Sequence, residues 1–254
     1  MSENPCLCSF CWYMEAGPPI RAQRAGRCQR SERLAAHKTA VSELTAIHSE
    51  KVKLLVGTDE HEFSCHKALL AYFSPFFKRA FYGSMKESNT GVMKLPEEKA
   101  ELIETLVSWV NSGLVESENS PEHLWAMGDR LTIPLFSNEV MHIMFRMYDT
   151  CWGMSGFHCL RAEAAQIACK DTPTNSKLST FVRDYVFAHG PLNRSWCDDA
   201  RRGPNYILDW HNFIHGGGDL VLEICIQAGF NKPLDDINIT PCKPDNQHKY
   251  LIPV

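Results

Sequence analysis

The chain has 254 residues, 44% of them hydrophobic and 22% charged, with 26 basic and 30 acidic side chains and a formal net charge of −4. This is enough apolar material for one large domain or two small ones, and the slight negative balance excludes a general electrostatic drive toward nucleic acid or anionic membrane. No apolar run approaches the roughly 20 residues of a membrane helix, and the stretch Cys6–Met14 lacks the basic flank of a signal peptide.

Residues 1 to about 30 read as an unstructured arm, broken by Pro5, Pro18 and Pro19. Arg21, Arg24, Arg27, Arg30 and Arg33 recur at every third position, a basic helical face or import patch on one reading and a solvated arm on the other. Cys6, Cys8 and Cys11, with Cys28 further on, carry thiolates that zinc or a lipid would need, but their spacing is not that of a paired zinc knuckle. The chain has 11 cysteines. Cys65, Cys159, Cys169 and Cys225 sit among apolar neighbours, as reduced core thiols do, so the expected location is intracellular, cytoplasm or nucleus.

From Ser31 to His48 the spacing of Leu34, Val41, Leu44 and His48 predicts a helix with one narrow apolar stripe. The period then changes to two. Val52, Leu54 and Val56 in one run, and His61, Phe63 and Cys65 in the next, flank Gly57-Thr58-Asp59 and predict a β-hairpin. The aromatic-rich stretch "HKALLAYFSPFFKRAFYGSMKES", His66–Ser88, follows as two short helices. Ser74 is suited to cap the second and Pro75 to its first position. Val92–Leu95 fits a third strand. Pro96, Glu97 and Glu98 open a helix with Leu102, Ile103, Leu106, Val107 and Val110 on its apolar face. Ser120-Pro121-Glu122 starts another, with Leu124, Trp125 and Leu131 inside, and one more covers Leu135–Met147. Beyond it, helices are expected at about 156–169, 177–189 and 218–228, with long loops from Pro191 to Gly218.

This order of elements, carried by Val56-Gly57, Phe63, His66-Lys67, Leu69-Leu70, Ser74-Pro75-Phe76-Phe77, Phe81, Gly83, Glu87-Ser88, Leu95-Pro96 and Gly113, resembles the BTB/POZ domain. Asp129 and Ile133-Pro134 within Leu124–Val140 look like its terminal helix pair. The likeness covers about residues 50–147 and is nearest to the single-BTB proteins of filamentous fungi. It implies an α+β fold: a small three-stranded sheet flanked by a cluster of α-helices, then a mostly helical C-terminal region. The expected divisions are an arm at 1–30, the BTB/POZ domain with its preceding helix at 31–147, and the extension at 148–254.

The resemblance also implies function. BTB domains bind other proteins, either a second BTB domain or the cullin scaffold of a ubiquitin ligase. Cullin binders carry a hydrophobic residue, any residue, then Glu past the second helix, and Met85-Lys86-Glu87 matches that pattern. The expected docking surface is Phe81, Tyr82, Met85 and Glu87. Family dimers use a helix before the first strand, so Leu34, Val41, Leu44 and Lys51 form the candidate dimer interface, with Lys51 where dimerising members carry Asp. No kelch repeat, zinc-finger pair or MATH-like sandwich is present to read a substrate, which leaves that task to the helical tail or the arm.

Catalytic material is sparse. His211 and His215 stand at i and i+4, but Asn212 holds the place where a zinc protease has Glu. Gly216-Gly217-Gly218-Asp219 lacks the Lys-Ser/Thr that would serve phosphates. The expectation is a non-enzymatic adaptor or scaffold with protein partners and no cofactor, metal, small-molecule substrate or membrane. The alternative is a transcription or chromatin factor that uses the Arg21–Arg33 arm on nucleic acid.

Overall fold

In the computed structural model, which describes residues 21–148, 160–189, 205–222 and 241–254, the alternating run becomes β1 (Lys51–Val56), the middle strand of a three-stranded sheet. Val52, Leu54 and Val56 are at most 1% exposed. The chain turns through residues 57–60, with Gly57 at φ +74°, into the antiparallel β2 (His61–His66). Here Val52 faces Cys65 and Leu54 faces Phe63. The third strand, β3 (Val92–Leu95), lies parallel on the other side of β1, opposing Leu54 with Met93 and Val56 with Leu95.

The aromatic stretch forms the connection from β2 to β3 as α2 (Lys67–Phe73), α3 (Pro75–Tyr82) and the short α4 (Lys86–Thr90). Leu69, Leu70, Phe73, Phe77 and Phe81 close over the sheet. Ser74 does what its position predicts. Its hydroxyl accepts from the Phe77 amide at 3.1 Å, capping α3. It also donates to the Leu131 carbonyl at 2.7 Å, in a fully buried setting. Phe63 and Phe76 are only half-buried, unlike Phe73, Phe77 and Phe81. Phe63 lies on the edge strand and packs its ring on His61, while Phe76 sits in the first turn of α3.

The next helix, α5 (Ala100–Ser112), starts later than Pro96 suggests. Glu98 instead turns inward, 7% exposed, and takes a forked ion pair from Arg130 at 2.9 and 2.8 Å. Gly113 ends α5 at φ +75°. Then α6 (Pro121–Arg130) and α7 (Pro134–Tyr148) pack closely enough that a Cβ on Gly128 would meet Ser137 Oγ at 2.6 Å.

The helix before the sheet, α1 (Arg21–Ile47), begins ten residues before Ser31, so the stretch from Arg21 is helical and not an unstructured arm. Alanine and arginine are strong helix formers, and no proline follows Pro19 to break the run. His48, expected on its stripe, lies past its end and is exposed. The N-terminal residues with Cys6, Cys8 and Cys11 lie outside the described residues.

In the C-terminal region, α8 (Ala162–Lys170) overlaps the span expected at 156–169 and runs one residue past it, and α9 (Lys177–His189) matches the span expected at 177–189. Residues 156–159 and 223–228 of the expected helices lie outside the described residues. The loop reading of 191–218 is overturned at α10 (Tyr206–His215), where Tyr206, Trp210 and Phe213 recur at helical spacing and are buried. Tyr206 and Trp210 both donate to the Leu160 carbonyl, at 3.0 and 3.3 Å. After the one-turn α11 (Pro244–Gln247), Tyr250 donates to Asp184 at 3.0 Å and packs on Phe145 and Phe181. Asn138 on α7 clasps the Ile252 backbone at both its carbonyl and its amide, 2.8 and 2.7 Å. One continuous apolar core runs from Val52 to Tyr250.

Cys65 is buried, and burial pushes its thiol up to about 12, which makes it inert at neutral pH. Cys169, expected inside, is exposed near the end of α8. Cys159 and Cys225 lie outside the described residues.

Two outcomes follow from this packing. Leu70, 1% exposed, belongs to the continuous core; Leu70→Ala lowers unfolding stability by about 2–5 kcal/mol in denaturant titrations. Against α1 and α7, burial lowers the pKa of His37, while hydrogen bonds to the Val110 and Trp109 carbonyls and the charge of Glu139 oppose the shift. Burial and the charges of Arg33 and Arg146 push His142 down to about 4, with Glu139 opposing. Both histidines therefore fold neutral, and on acidification the unfolded chain takes up their protons first. The contribution of His142 is complete above the ordinary value of 6.5 and drains away as pH falls toward about 4, and that of His37 is lost in the same direction. The denaturant midpoint drops between pH 7.5 and pH 5, and the drop shrinks in His142→Phe.

Candidate partner-docking site

The end of α3 decides which aromatics reach the surface. Phe77, Ala80 and Phe81 face inward, which turns Tyr82 outward, 53% exposed. Phe81, expected at the docking surface, is 1% exposed and stacks on Phe77 beneath the rim. The helix then stops at Gly83, whose amide bonds the Arg79 carbonyl at 3.0 Å. A Cβ on Gly83 would stand 2.2 Å from that same oxygen, so only glycine leaves α3 along this path.

Two residues later Met85 caps α4 with its backbone extended and its side chain 53% exposed. Its carbonyl accepts from the Ser88 amide at 3.1 Å and the Ser88 hydroxyl at 2.7 Å. At the far end of α4, Gly91 takes φ +65°, and its carbonyl accepts from the Lys53 amide at 2.8 Å. The rim is thus fastened to the central strand. Glu87 is not on the rim's crest: its side chain is 16% exposed, with Lys86 Nζ 4.0 Å away.

Lys67 completes the site, a role that no local sequence pattern announces. It is 8% exposed, ion-paired to Glu50 at 3.0 Å, and its ammonium lies 4.7 Å from the centroid of the Tyr82 ring. A cation over an aromatic face holds that ring in one pose. The result is a rim on which Tyr82 and Met85 are both exposed, a form that suits protein contact and offers no reactive group.

The candidate dimer residues lie elsewhere. Leu34, Val41 and Leu44 are half-buried along α1, with Val41 and Leu44 packed against the protein's own core. A Cβ on Gly113 would come within 2.9 Å of Leu34 and of His37, which shows how closely α1 sits on the end of α5. His37, which the stripe reading overlooked, stacks on Phe73 at 4.6 Å and donates from Nε2 to the Val110 carbonyl at 3.1 Å. Lys51 opens β1, exposed, opposite His66.

His211 and His215 share a face of α10 with ring centroids 4.4 Å apart. Among the described residues, no group of three or more His, Cys, Asp or Glu side chains is placed to hold a metal ion. No described helix is long and apolar enough to cross a membrane.

A mixed three-stranded sheet roofed by a helical hairpin, with an outward rim and a helix pair behind it, is the architecture of a protein-interaction domain. The family profile of the BTB/POZ domain matches residues 48–145, and this part of the chain is a BTB/POZ domain. The human Kelch repeat and BTB domain-containing protein 7 is 31% identical over 135 residues, covering 50% of this chain. The chain spans about a fifth of that relative's length, 20%.

Replacing Gly83 tests the geometry of the rim. Gly83→Ala drives a methyl against the Arg79 carbonyl, so α3 frays and Met85 shifts; amide exchange across residues 82–90 speeds up, while that of β1 stays slow.

Proposed function

We propose that the protein is a non-catalytic interaction module whose BTB/POZ domain docks the N-terminal region of a cullin-type scaffold, making it a substrate adaptor for a ubiquitin ligase. The observation that carries this reading is the outward pose of Met85 and Tyr82, each 53% exposed on a rim tied to the core. Met85-Lys86-Glu87 stands where cullin-binding BTB domains place their hydrophobic residue and Glu. A methionine on the crest offers an adaptable apolar anchor. Glu87, in the first turn of α4, favours the helix dipole and keeps the crest in register. The BTB/POZ assignment itself supports protein partners in general, and the choice of a cullin among them is ours.

The same reading leaves room for self-association. Leu34, Val41 and Leu44 are only half covered by their own domain, so a second copy can pack on the open flank of α1 beside Lys51. A cytoplasmic or nuclear location fits an adaptor of this class, and the helical extension looks like the one common in fungal single-BTB proteins.

Met85→Ala weakens binding to a cullin N-terminal region by more than about 1 kcal/mol, the signature of a central anchor, with the thermal midpoint unchanged. Titration calorimetry reads the first and a thermal melt the second. Wild-type protein that shows no binding at tens of micromolar overturns the cullin reading.

A further inference from the structure

Charge is segregated along the chain on either side of β3. From Lys67 to Lys86 there are four cations and no carboxylate, while from Pro96 to Glu122 there are seven glutamates against Lys99 alone. Most cations near the sheet are matched: Lys53 pairs with Glu62, Lys94 with Glu60 and Lys67 with Glu50. Lys78 and Arg79 differ. Both are exposed, and neither has a charged partner among the described residues.

These two cations belong to the docking rim. They stand four and three residues before Tyr82 on α3, the spacing of neighbours on one helix face. The inward turn of Phe77, Ala80 and Phe81 leaves that face to solvent. Lys86, next to Met85, has a side chain 85% exposed and meets Glu87 only at 4.0 Å. The exposed Tyr82 and Met85 are thus accompanied by three cations, and the one nearby carboxylate, Glu87, is mostly covered.

We propose that the rim recognises its partner by acidic side chains: a protein surface on which one apolar side chain meets Tyr82 and Met85 while flanking Asp or Glu carboxylates meet Lys78, Arg79 and Lys86. Arg79 offers a planar fork that suits a carboxylate, and the two lysines act as point charges. Unmatched cations at the edge of an apolar contact speed encounter and fix the choice of partner more than they add affinity. A phosphate backbone is the poorer match, because it has no apolar group to set against Met85 and the chain's net charge is −4. The inference rests on the rim being the docking surface, and not on the partner being a cullin.

The test is selection of a random peptide-display library on the full chain, with a parallel selection on Met85→Ala to mark the binders that use the rim. The expected result is that binders lost in Met85→Ala are enriched in Asp and Glu around one large apolar residue. As labelled peptides they lose about tenfold or more in affinity for the double variant Lys78→Glu with Arg79→Glu, since like charges then face each other. The charge-preserving pair Lys78→Arg with Arg79→Lys recovers most of that loss, and rising salt weakens binding to the wild type. Thermal melts confirm that the surface variants fold. A cullin N-terminal region that fails to bind while these peptides do ends the cullin reading and leaves this inference standing. A cullin that binds through Met85 and tolerates the double reversal overturns it and leaves the cullin reading intact. Rim-dependent peptides with no acidic enrichment, or no rim-dependent peptide at all, also overturn it. So does a labelled DNA duplex that binds more tightly than the peptides and is lost in the same double variant, which marks the face as a nucleic-acid site.

Discussion

A single buried hydroxyl holds the rim of this domain in register. Ser74 Oγ is shielded from water and has two partners, the Phe77 amide it caps and the Leu131 carbonyl it bonds. The cap fixes where α3 begins, and Gly83 fixes where it ends. The eight residues between set the rotation that buries Phe81 and exposes Tyr82. The bond to Leu131 ties the same helix to the turn between α6 and α7. An orphaned buried polar group costs about 1–3 kcal/mol, so losing this hydroxyl leaves the Leu131 carbonyl unpaired and loosens the rim above it.

The charged contacts divide by burial. Lys53–Glu62 and Lys94–Glu60 lie on the exposed face of the sheet, where ion pairs contribute little net stability. Their use is to keep that surface soluble and resistant to edge pairing. Glu98–Arg130 and Lys67–Glu50 each have one partner withdrawn from solvent and fix geometry instead. The first pulls the start of α5 against α6. The second holds an ammonium over the ring of Tyr82. The C-terminal region is joined to the domain by packing and by polar clasps alike, Phe145 and Tyr148 meeting Phe181 and Asn138 holding Ile252. The described C-terminal elements therefore share one apolar core with the sheet and its helices.

Much of the fold was legible because it is locally encoded. The alternation of Val52, Leu54 and Val56, the Ser74-Pro75 start and the Gly113 stop each specify structure within a few residues. The rim was legible as a segment, though not residue by residue: that Phe81 points in and Tyr82 out depends on the exact end of α3. Two helices escaped for opposite reasons. The first ten residues of α1 read as charge and not as helix formers, while α10 hides its Tyr206, Trp210 and Phe213 among glycines, asparagines and aspartates. Lys67 over Tyr82, His37 on Phe73 and Asn138 on Ile252 join residues 15, 36 and 114 positions apart, and no local pattern announces such pairs.

The central claim is that partners meet this protein on the rim that α3 and α4 raise from the sheet. Amide hydrogen exchange of the full chain, alone and with a saturating cullin N-terminal region, tests it most directly. The account predicts slowed exchange concentrated in Tyr82–Gly91, with α8 and α10 unchanged. Protection confined to α8 or α10, or bound protein with no change across the rim, would contradict it.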